Sequence, residues 1–219
     1  MEPDNFEQSR RQMVEWQLRA RNITDPDVLQ AMAQIPRHRF IPEDGRHLAY
    51  EDRALPIGFD QTISQPYMVA LMTEKLQVEP GLRVLEIGTG FGYQTAVLAR
   101  LAREVFTVER LPELSLRAQE VLAQLGLLNI HFNIDDGTLG WPDHAPFDRI
   151  LVTAGAPDLP TSLVDQLADG GLLVIPVGPE DAQTLLRVRK SGRELHREPI
   201  IACRFVKLFG RQGWSESDM

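Results

Sequence analysis

Short apolar runs alternate with helical patterns in the middle of the chain, from residue 83 onward. The helical segments are residues 93–103 and a stretch from Pro112 to the residue before Gly126, with apolar side chains every three or four positions. This alternation is typical of a mostly parallel sheet with helices on both faces, so we predict a doubly wound, Rossmann-like α/β fold. The predicted strands are residues 83–87, 104–108, 130–134, 147–152 and 172–177.

Helical patterns also precede this alternation. The first covers residues 7–21, and the second opens with Thr24 or Asp25 as its N-cap and stops before a proline. A loop-rich stretch, residues 42–65, then leads to a helix that opens with a proline. We expect residues 7–76 to form an extension that acts as a lid or a pedestal for the sheet.

The end of the chain has an antiparallel pattern. Residues 185–188 and 194–201 flank a Ser-Gly turn and predict a hairpin, and 204–208 is a candidate last strand. An antiparallel end on a parallel sheet is common. We therefore predict a single domain with a core at 83–178 and C-terminal strands within 184–208. The polar tail, residues 210–219, is expected to fray.

Composition narrows the possible partners and the compartment. The chain has 219 residues, 43% of them hydrophobic, which is enough for one core. Its net charge of −8 gives no broad cationic field that would attract nucleic acid or anionic membranes. A local basic patch at Arg10, Arg11, Arg19 and Arg21 is the alternative to a solvated helix face that forms salt bridges. A single cysteine, no signal-peptide pattern and no long apolar run lead us to expect a cytoplasmic protein, with monomer as the default. The histidines lack metal-ligand spacing, so no metal is expected.

The strongest chemical motif is a glycine loop, Val-Leu-Glu-Ile-Gly-Thr-Gly-Phe-Gly at residues 84–92. It follows the first predicted strand and opens a helix, the position where open α/β sheets bind ligands. Gly88, Thr89 and Gly90 would bring backbone N–H groups close to a ligand. The G-x-G-x-G spacing without a following Lys-Ser/Thr excludes a P-loop. A plain structural turn is the alternative.

Glu109, twenty-one residues after Gly88, ends the second predicted strand. A carboxylate there can accept hydrogen bonds from the ribose hydroxyls of an adenosine cofactor. Glu86 would repel a pyrophosphate but suits the cationic groups of S-adenosyl-L-methionine; the alternative is a carboxylate that caps backbone N–H groups. The Asp136-Gly137 pair is a candidate adenine contact, or an ordinary Asp-Gly turn.

Several motifs together resemble the protein-L-isoaspartate O-methyltransferase family. The most specific is Gln-Thr-Ile-Ser-Gln-Pro at 61–66, within a longer match over 54–68. The glycine loop extended to residue 96 is shared with many methyltransferases. The similarity runs from about Arg10 to Leu208, and further matches lie at 145–148, 150–154, 166–171 and 176–178.

The resemblance implies a class I methyltransferase fold, with its strand order, and methyl transfer from S-adenosyl-L-methionine to the free carboxylate of L-isoaspartyl residues in damaged proteins. S-adenosyl-L-homocysteine would be the product, and the acceptance of D-aspartyl sites stays open. Ser64 falls on the family's active-site serine, and Val206 and Leu208 fall in the segment that borders the substrate. The residues that would line the cofactor are Ile63, Ser64, Gln65, Glu86, Gly88, Thr89, Gly90, Glu109, Asp136 and Gly137.

The chain departs from the family pattern at several positions. Asp60 stands where the family usually has Gly, Phe91 where it has Ser, and Asp135 where it has Gly. Gly155 replaces Ala and Lys207 replaces Pro. Phe91 and Asp135 could alter the cofactor pocket, while Asp60 and Lys207 could alter peptide preference.

A carboxylate acceptor needs little catalytic machinery, because with a pKa near 4 it is already ionised at neutral pH. Thr62 and Ser64 are small hydroxyls that could hold one carboxylate oxygen while the other attacks. Ser64 is then a positioning residue, since no G-x-S-x-G elbow surrounds it, although it could instead cap the helix that follows. The alternatives are a methyltransferase with another acceptor and an inactive binding module.

Overall fold

The computed structural model describes residues 3–215, with side chains from residue 5. A short antiparallel hairpin, β1 (Leu55–Gly58) and β2 (Gln61–Ile63), precedes the main sheet. The strands of that sheet, β3 to β9, are Arg83–Ile87, Glu104–Glu109, Ile130–Ile134, Phe147–Val152, Leu167–Val177, Gln183–Ser191 and Glu194–Cys203.

The order of strands across the main sheet is β5-β4-β3-β6-β7-β8-β9. Strands β3 to β7 pair in parallel, and β8 and β9 add an antiparallel hairpin at one edge. The predicted fold class and the predicted hairpin are confirmed. Successive strands proceed from β3 toward one edge and from β6 toward the other, so the direction of winding reverses between β3 and β6. Ligands bind at such a reversal in open α/β sheets.

Helices pack against both faces of the sheet. The buried side chains form one large cluster that joins the N-terminal helices to one face and a second cluster on the other face. Asp25 caps its helix by accepting from the N–H groups of Asp27 and Val28, at 2.9 and 3.2 Å, as predicted. The helices α1 to α6 are Pro3–Gln12, Pro26–Gln34, Pro66–Leu76, Tyr93–Leu101, Pro112–Gln124 and Thr161–Gln166.

The structure differs from the predicted elements in the N-terminal half. The segment predicted as one helix over 7–21 is α1 followed by a π-helical turn, Met13–Leu18, and a 3₁₀ turn, Arg19–Arg21. The loop-rich stretch contains a 3₁₀ turn, Glu43–Leu48, besides the β1–β2 hairpin, and another 3₁₀ turn, Arg37–Phe40, lies just before it. These short elements lack the length that would make a periodic pattern visible.

The C-terminal segment also differs. Residues 204–208 do not form a strand but make an isolated bridge between Lys207 and Gly155. Residues 210–215 were expected to fray, but they form hydrogen bonds to the rest of the chain. The indole N–H of Trp214 donates to the carbonyl of Gly155 at 3.0 Å. The N–H of Arg211 donates to the carboxylate of Asp136 at 2.8 Å. The last four residues of the predicted tail lie outside the described part.

Candidate active site

The glycine loop lies at the carboxyl ends of the parallel strands, where β3, β4 and β6 meet. Gly88 and Gly90 have φ angles of +94° and +54°, in the left-handed region that favours glycine. A Cβ on Gly88 would lie 2.3 Å from Oγ1 of Thr153. That hydroxyl donates to the carbonyls of Ile87 and Gly88, at 2.9 and 2.7 Å. The loop is therefore fixed by a threonine from the neighbouring strand, and its backbone faces the crevice.

Glu109 lines this crevice next to the glycine loop, at the end of β4. Its side chain is buried, with 6% exposed. One carboxylate oxygen accepts from the N–H of Gly90 at 2.9 Å, and the other accepts from the N–H of Leu111 at 3.1 Å. A carboxylate has about four acceptor positions, so further positions stay open to two hydroxyl donors. Glu109 is thus placed as the sequence predicts, and it also holds the loop.

Glu86 differs from its predicted position in the crevice. It is fully buried beneath the loop, and its Oε2 accepts from the hydroxyls of Thr95 and Thr107 at 2.5 and 2.7 Å. The Thr107 oxygen lies 2.6 Å from the hydroxyl oxygen of Thr89. This network fastens the loop to β4 and α4, which corrects the expectation of a direct cofactor contact. It also differs from the alternative of backbone capping.

Burial without a cation raises the pKa of Glu86 to about 8, although the hydrogen bonds from Thr95 and Thr107 oppose the shift. The nearby Glu109 carboxylate adds to the rise. Oε1 of Glu86 is buried and has no hydrogen-bond partner in the described part of the chain. A protonated carboxyl suits these surroundings better than an ionised one.

Asp136 and Gly137 have separate roles in the structure. Gly137 lines the crevice, and a Cβ there would lie 2.5 Å from Cγ2 of Ile87. The Asp136 carboxylate instead accepts from the N–H and hydroxyl of Thr138, at 2.9 and 2.6 Å, and from the N–H of Arg211. Asp136 therefore forms an Asx-type cap that also ties the C-terminal segment to the crevice. Of the predicted pair, Gly137 has the direct access.

Thr62 and Ser64 lie where the crevice opens into a second cleft. Thr62 lines both spaces, while Ser64 is half-buried and lines the cleft. Oγ of Ser64 has no hydrogen-bond partner within residues 3–215, and the N-cap of α3 is Gln65 without a side-chain cap. The helix-capping alternative for Ser64 is therefore not what the structure shows. Its hydroxyl is free for a ligand.

The residues beside Ser64 face different ways. Ile63 is buried against the glycine loop. The Gln65 side chain lines the cleft, and its amide donates to the carbonyl of Asp52 at 3.0 Å. Thr89 lies with Ile63 beneath the loop and does not line the main crevice. Ile63 and Thr89 support the loop from below.

The cleft is bounded by α3, by the end of β9 and by the segment that follows it. Val206 lines both the cleft and the crevice, whereas Leu208 is buried in the crevice wall and does not reach the cleft. Val206 thus lines the cleft together with Ser64, and Leu208 lies on the crevice side. Two arginines, Arg21 and Arg204, line the cleft, and no histidine or carboxylate among the described residues does. The described residues contain no cluster suited to a metal ion.

Two further residues of the site did not stand out in the sequence. Thr153 lies at the junction of crevice and cleft, and its signal is a hydroxyl directly after the predicted strand 147–152. Arg37 is fully buried and donates to the carbonyls of Ala49 and Ser64, at 2.8 and 2.7 Å. Burial lowers the pKa of Arg37 to about 10. A buried arginine that fixes a backbone carbonyl has no local sequence signature.

A family model described as protein-L-isoaspartate(D-aspartate) O-methyltransferase matches residues 8–213. The chain belongs to this family. It is 56% identical over 215 residues to a protein-L-isoaspartate O-methyltransferase of Geotalea uraniireducens, covering 98% of this chain and 99% of the relative. The relative from Methanoculleus marisnigri is 51% identical over 214 residues, covering 98% of this chain and 97% of its own.

Solved structures of the protein-L-isoaspartate O-methyltransferase family have the same fold. One superposes with a TM-score of 0.85 at 30% identity, over 93% of this chain and 67% of that one. Another, from Plasmodium falciparum in complex with S-adenosyl-L-homocysteine, has a TM-score of 0.80 at 28% identity, over 91% and 98%. The resemblance read from the motifs is confirmed.

The departures from the family pattern are accommodated locally. Asp60 has a φ of +54°, which explains why a glycine is usual there. Phe91 packs in the small space beneath the loop, and Asp135 accepts from the N–H of Asp136 at 2.7 Å. The Lys207 ammonium lies 3.0 Å from a carboxylate oxygen of Glu180. None of these contacts displaces Ser64 or Glu109.

Proposed function

We propose that this chain transfers a methyl group from S-adenosyl-L-methionine to the free carboxylate of L-isoaspartyl residues in damaged proteins and so begins their repair. The observation that carries this proposal is the junction at Thr62 and Ser64, where a crevice with an acidic wall meets a cleft lined by arginines. Family membership supports the reaction, and the named relatives are protein-L-isoaspartate O-methyltransferases.

The crevice suits an adenosine-containing methyl donor. Gly88 and Gly90 line the crevice with their backbone, and Glu109 offers open acceptor positions to ribose hydroxyls. Gly137 also lines the crevice, and its lack of a Cβ avoids a clash with the Ile87 side chain. When bound, S-adenosyl-L-methionine supplies an electrophilic methyl group on a positively charged sulfur. The residues of this chain would hold the donor, exclude water and direct the acceptor.

The cleft suits an acceptor that is already an anion. No general base lines it among the described residues, and a carboxylate needs none because its pKa is near 4. The free hydroxyl of Ser64 would donate to one acceptor oxygen, and Thr62 would donate beside it. The other oxygen would then attack in line with the leaving sulfur. Alignment of this kind can lower the activation free energy by about 7–11 kcal/mol.

Arg21 would form part of the cleft wall that faces the acceptor. Its guanidinium lies 3.4 Å above the ring of Tyr67 and 2.6 Å from a carboxylate oxygen of Asp52. The ion pair and the stacking fix the arginine at the cleft wall. Val206, which borders both spaces, would touch the acceptor residue near the transferred methyl group.

The decisive experiment uses a labelled methyl donor and paired peptides that differ only in aspartate or isoaspartate. We expect base-labile label, released as methanol, on the isoaspartyl peptide alone. Label that resists base would indicate an N-methylated product and overturn the proposed acceptor. Absence of donor binding by calorimetry would instead favour an inactive binding module.

Ser64→Ala tests the proposed positioning role. We expect kcat/KM for the isoaspartyl peptide to fall about 10- to 100-fold, since a hydrogen bond to a charged group is worth about 1.5–3 kcal/mol. Donor affinity and unfolding free energy should stay unchanged, because the hydroxyl has no partner in the described fold. Ser191→Ala, in the β8–β9 hairpin, is the matched control. Unchanged turnover in Ser64→Ala would refute the role.

The proposal also includes a cytoplasmic monomer without a nucleic-acid or membrane partner. The net charge of −8 and the single cysteine support it. No helix among the described residues is both long and apolar enough to cross a bilayer. Sedimentation velocity at micromolar concentration tests the monomer, and cell fractionation tests the location.

A further inference from the structure

A groove of about 650 Å³ lies between the N-terminal helix α1, the two 3₁₀ turns and helix α5. It shares no lining residue with the crevice or the cleft described above. Four arginines line it, each contributed by a different short element or helix, together with a histidine and one acid. The lining residues used below are Phe6, Glu7, Arg10, His38, Arg39, Arg46 and Arg117.

The arginines of this groove are poorly neutralised. Arg10, Arg39 and Arg46 form no ion pair among residues 5–215; Arg10 donates to the carbonyl of Ala33 at 2.6 Å, and Arg39 donates to the Gln124 side chain. Nε of Arg46 is buried without an acceptor in the same part of the chain. These three guanidinium groups therefore keep most of their charge available to a ligand.

The remaining charges of the groove are already matched. Glu7 pairs with Arg11, and Arg117 lies 3.3 Å from a carboxylate oxygen of Glu120. Arg11 thus resembles the other arginines of the N-terminal segment, Arg19 and Arg21, which pair with Glu15 and Asp52 at 3.0 and 2.6 Å. Arg11, Arg19 and Arg21 therefore form ion pairs along the N-terminal segment, whereas Arg10 forms none among residues 5–215 and lines the groove.

His38 lines the groove beside these arginines, and its ring environment reflects their positive charge. Its ring stacks on Phe6 with centroids 4.2 Å apart, and its Nδ1 lies 2.9 Å from the hydroxyl of Tyr50. Burial, together with the positive charges of Arg10, Arg46 and Arg39, lowers the pKa of His38 to about 4. The three arginines line the same groove as His38, and the histidine stays neutral there.

We propose that this groove is a binding site for a diphosphate-bearing anion, separate from the site of methyl transfer. Guanidinium forks match phosphate oxygens, and arginine is the residue that proteins use for such groups. The arginines approach from several different elements, so two linked phosphates can meet more of them than a single phosphate can. Because the chain carries a net charge of −8, such binding has to come from this local arrangement.

Calorimetric titration with inorganic pyrophosphate tests the site on the full chain. Saturating S-adenosyl-L-homocysteine is included so that the crevice cannot take up the probe. The groove variant is Arg39→Gln/Arg46→Gln, and the control is Arg193→Gln/Arg197→Gln, which removes the same charge from the exposed β9 side of the molecule. We expect the groove variant to bind about tenfold or more weakly and the control to bind within about twofold of the wild type.

NMR of the histidine rings gives a second readout that does not depend on that variant. Pyrophosphate should shift the His38 ring signal, assigned by its loss in His38→Gln, and leave the signal of His196 on β9 in place. The proposal is overturned if pyrophosphate does not bind the wild type, if both double variants weaken equally, or if the His38 signal does not move. Citrate that binds more tightly than pyrophosphate would overturn the diphosphate assignment.

Discussion

Replacing Glu86 by glutamine should make the stability of this protein less sensitive to pH. The Glu86 carboxyl is fully buried, and burial raises its pKa from 4.5 to about 8. Glutamine has nearly the same shape as the protonated carboxyl, and its side-chain oxygen can accept from Thr95 and Thr107 as Oε2 does now. Glu86→Gln therefore replaces the titrating group while it keeps both hydrogen bonds.

The direction of the effect follows from where the proton is bound. Between pH 4.5 and about 8, Glu86 is protonated in the folded protein and ionised in the unfolded chain. The folded state then binds more protons, so the free energy of unfolding falls as the pH rises, by about 1.4 kcal/mol per pH unit. Over pH 5 to pH 8 the loss attributable to Glu86 is about 3 kcal/mol. Above pH 8 it levels off.

Urea denaturation of wild type and Glu86→Gln, at four pH values from 5 to 8, measures this term. Taking the difference between the two proteins cancels every other titrating group. We expect the variants to differ least at pH 5, and the glutamine variant to gain about 3 kcal/mol relative to wild type by pH 8. A difference that is constant over this range would refute the raised pKa. Donor affinity should change little, whereas a direct contact between Glu86 and the donor would weaken it strongly.

Three further substitutions test the crevice and the loops around it. Glu109→Gln should weaken S-adenosyl-L-homocysteine binding about 10- to 100-fold in calorimetry, whereas Glu113→Gln, exposed one turn later, should leave it unchanged. Gly88→Ala should cost more than about 2 kcal/mol in urea denaturation, because the φ is +94° and the new Cβ would lie 2.3 Å from Thr153 Oγ1. Asp60→Gly should raise stability by up to about 1 kcal/mol through relief of the left-handed backbone; a loss of stability would contradict this reasoning.

The sequence predicts the regular part of this fold well, because its strands and helices are long enough for their hydrophobic pattern to be recognised. The strands β3, β4 and β6 are buried runs bounded by turns, so their existence and their carboxyl ends could be predicted, and Glu109 followed from its distance to Gly88. The strand order came only through the resemblance, because periodicity carries no information about which strands are neighbours. The β1–β2 hairpin, with strands of four and three residues, was too short to be predicted.

The partners of buried polar groups could not be predicted, since they come from distant parts of the chain. The sequence suggests that Glu86 is an acid of the ligand-binding loop, yet its carboxyl accepts hydrogen bonds from Thr95 on α4 and Thr107 on β4. Asp136 reads as a ligand contact, yet its carboxylate is used by Thr138 and by Arg211. In both cases the residue type indicates a carboxylate, but only the folded structure shows which donors hydrogen-bond to it.

The N-terminal extension is better described as a support for the catalytic segment than as a lid. Arg37, the first residue of the 3₁₀ turn Arg37–Phe40, is fully buried and donates to the carbonyl of Ser64. Its Nε donates to the carbonyl of Ala49, so the guanidinium fixes the Ser64 backbone within the extension. A lid would have to pull buried side chains of the extension away from α4, among them Met32 and Thr73, which contact the hydroxyl of Tyr93 and the amide of Gln94 at 3.5 and 3.0 Å. The extension therefore stays in place, and Ser64 meets its substrate with its backbone already fixed.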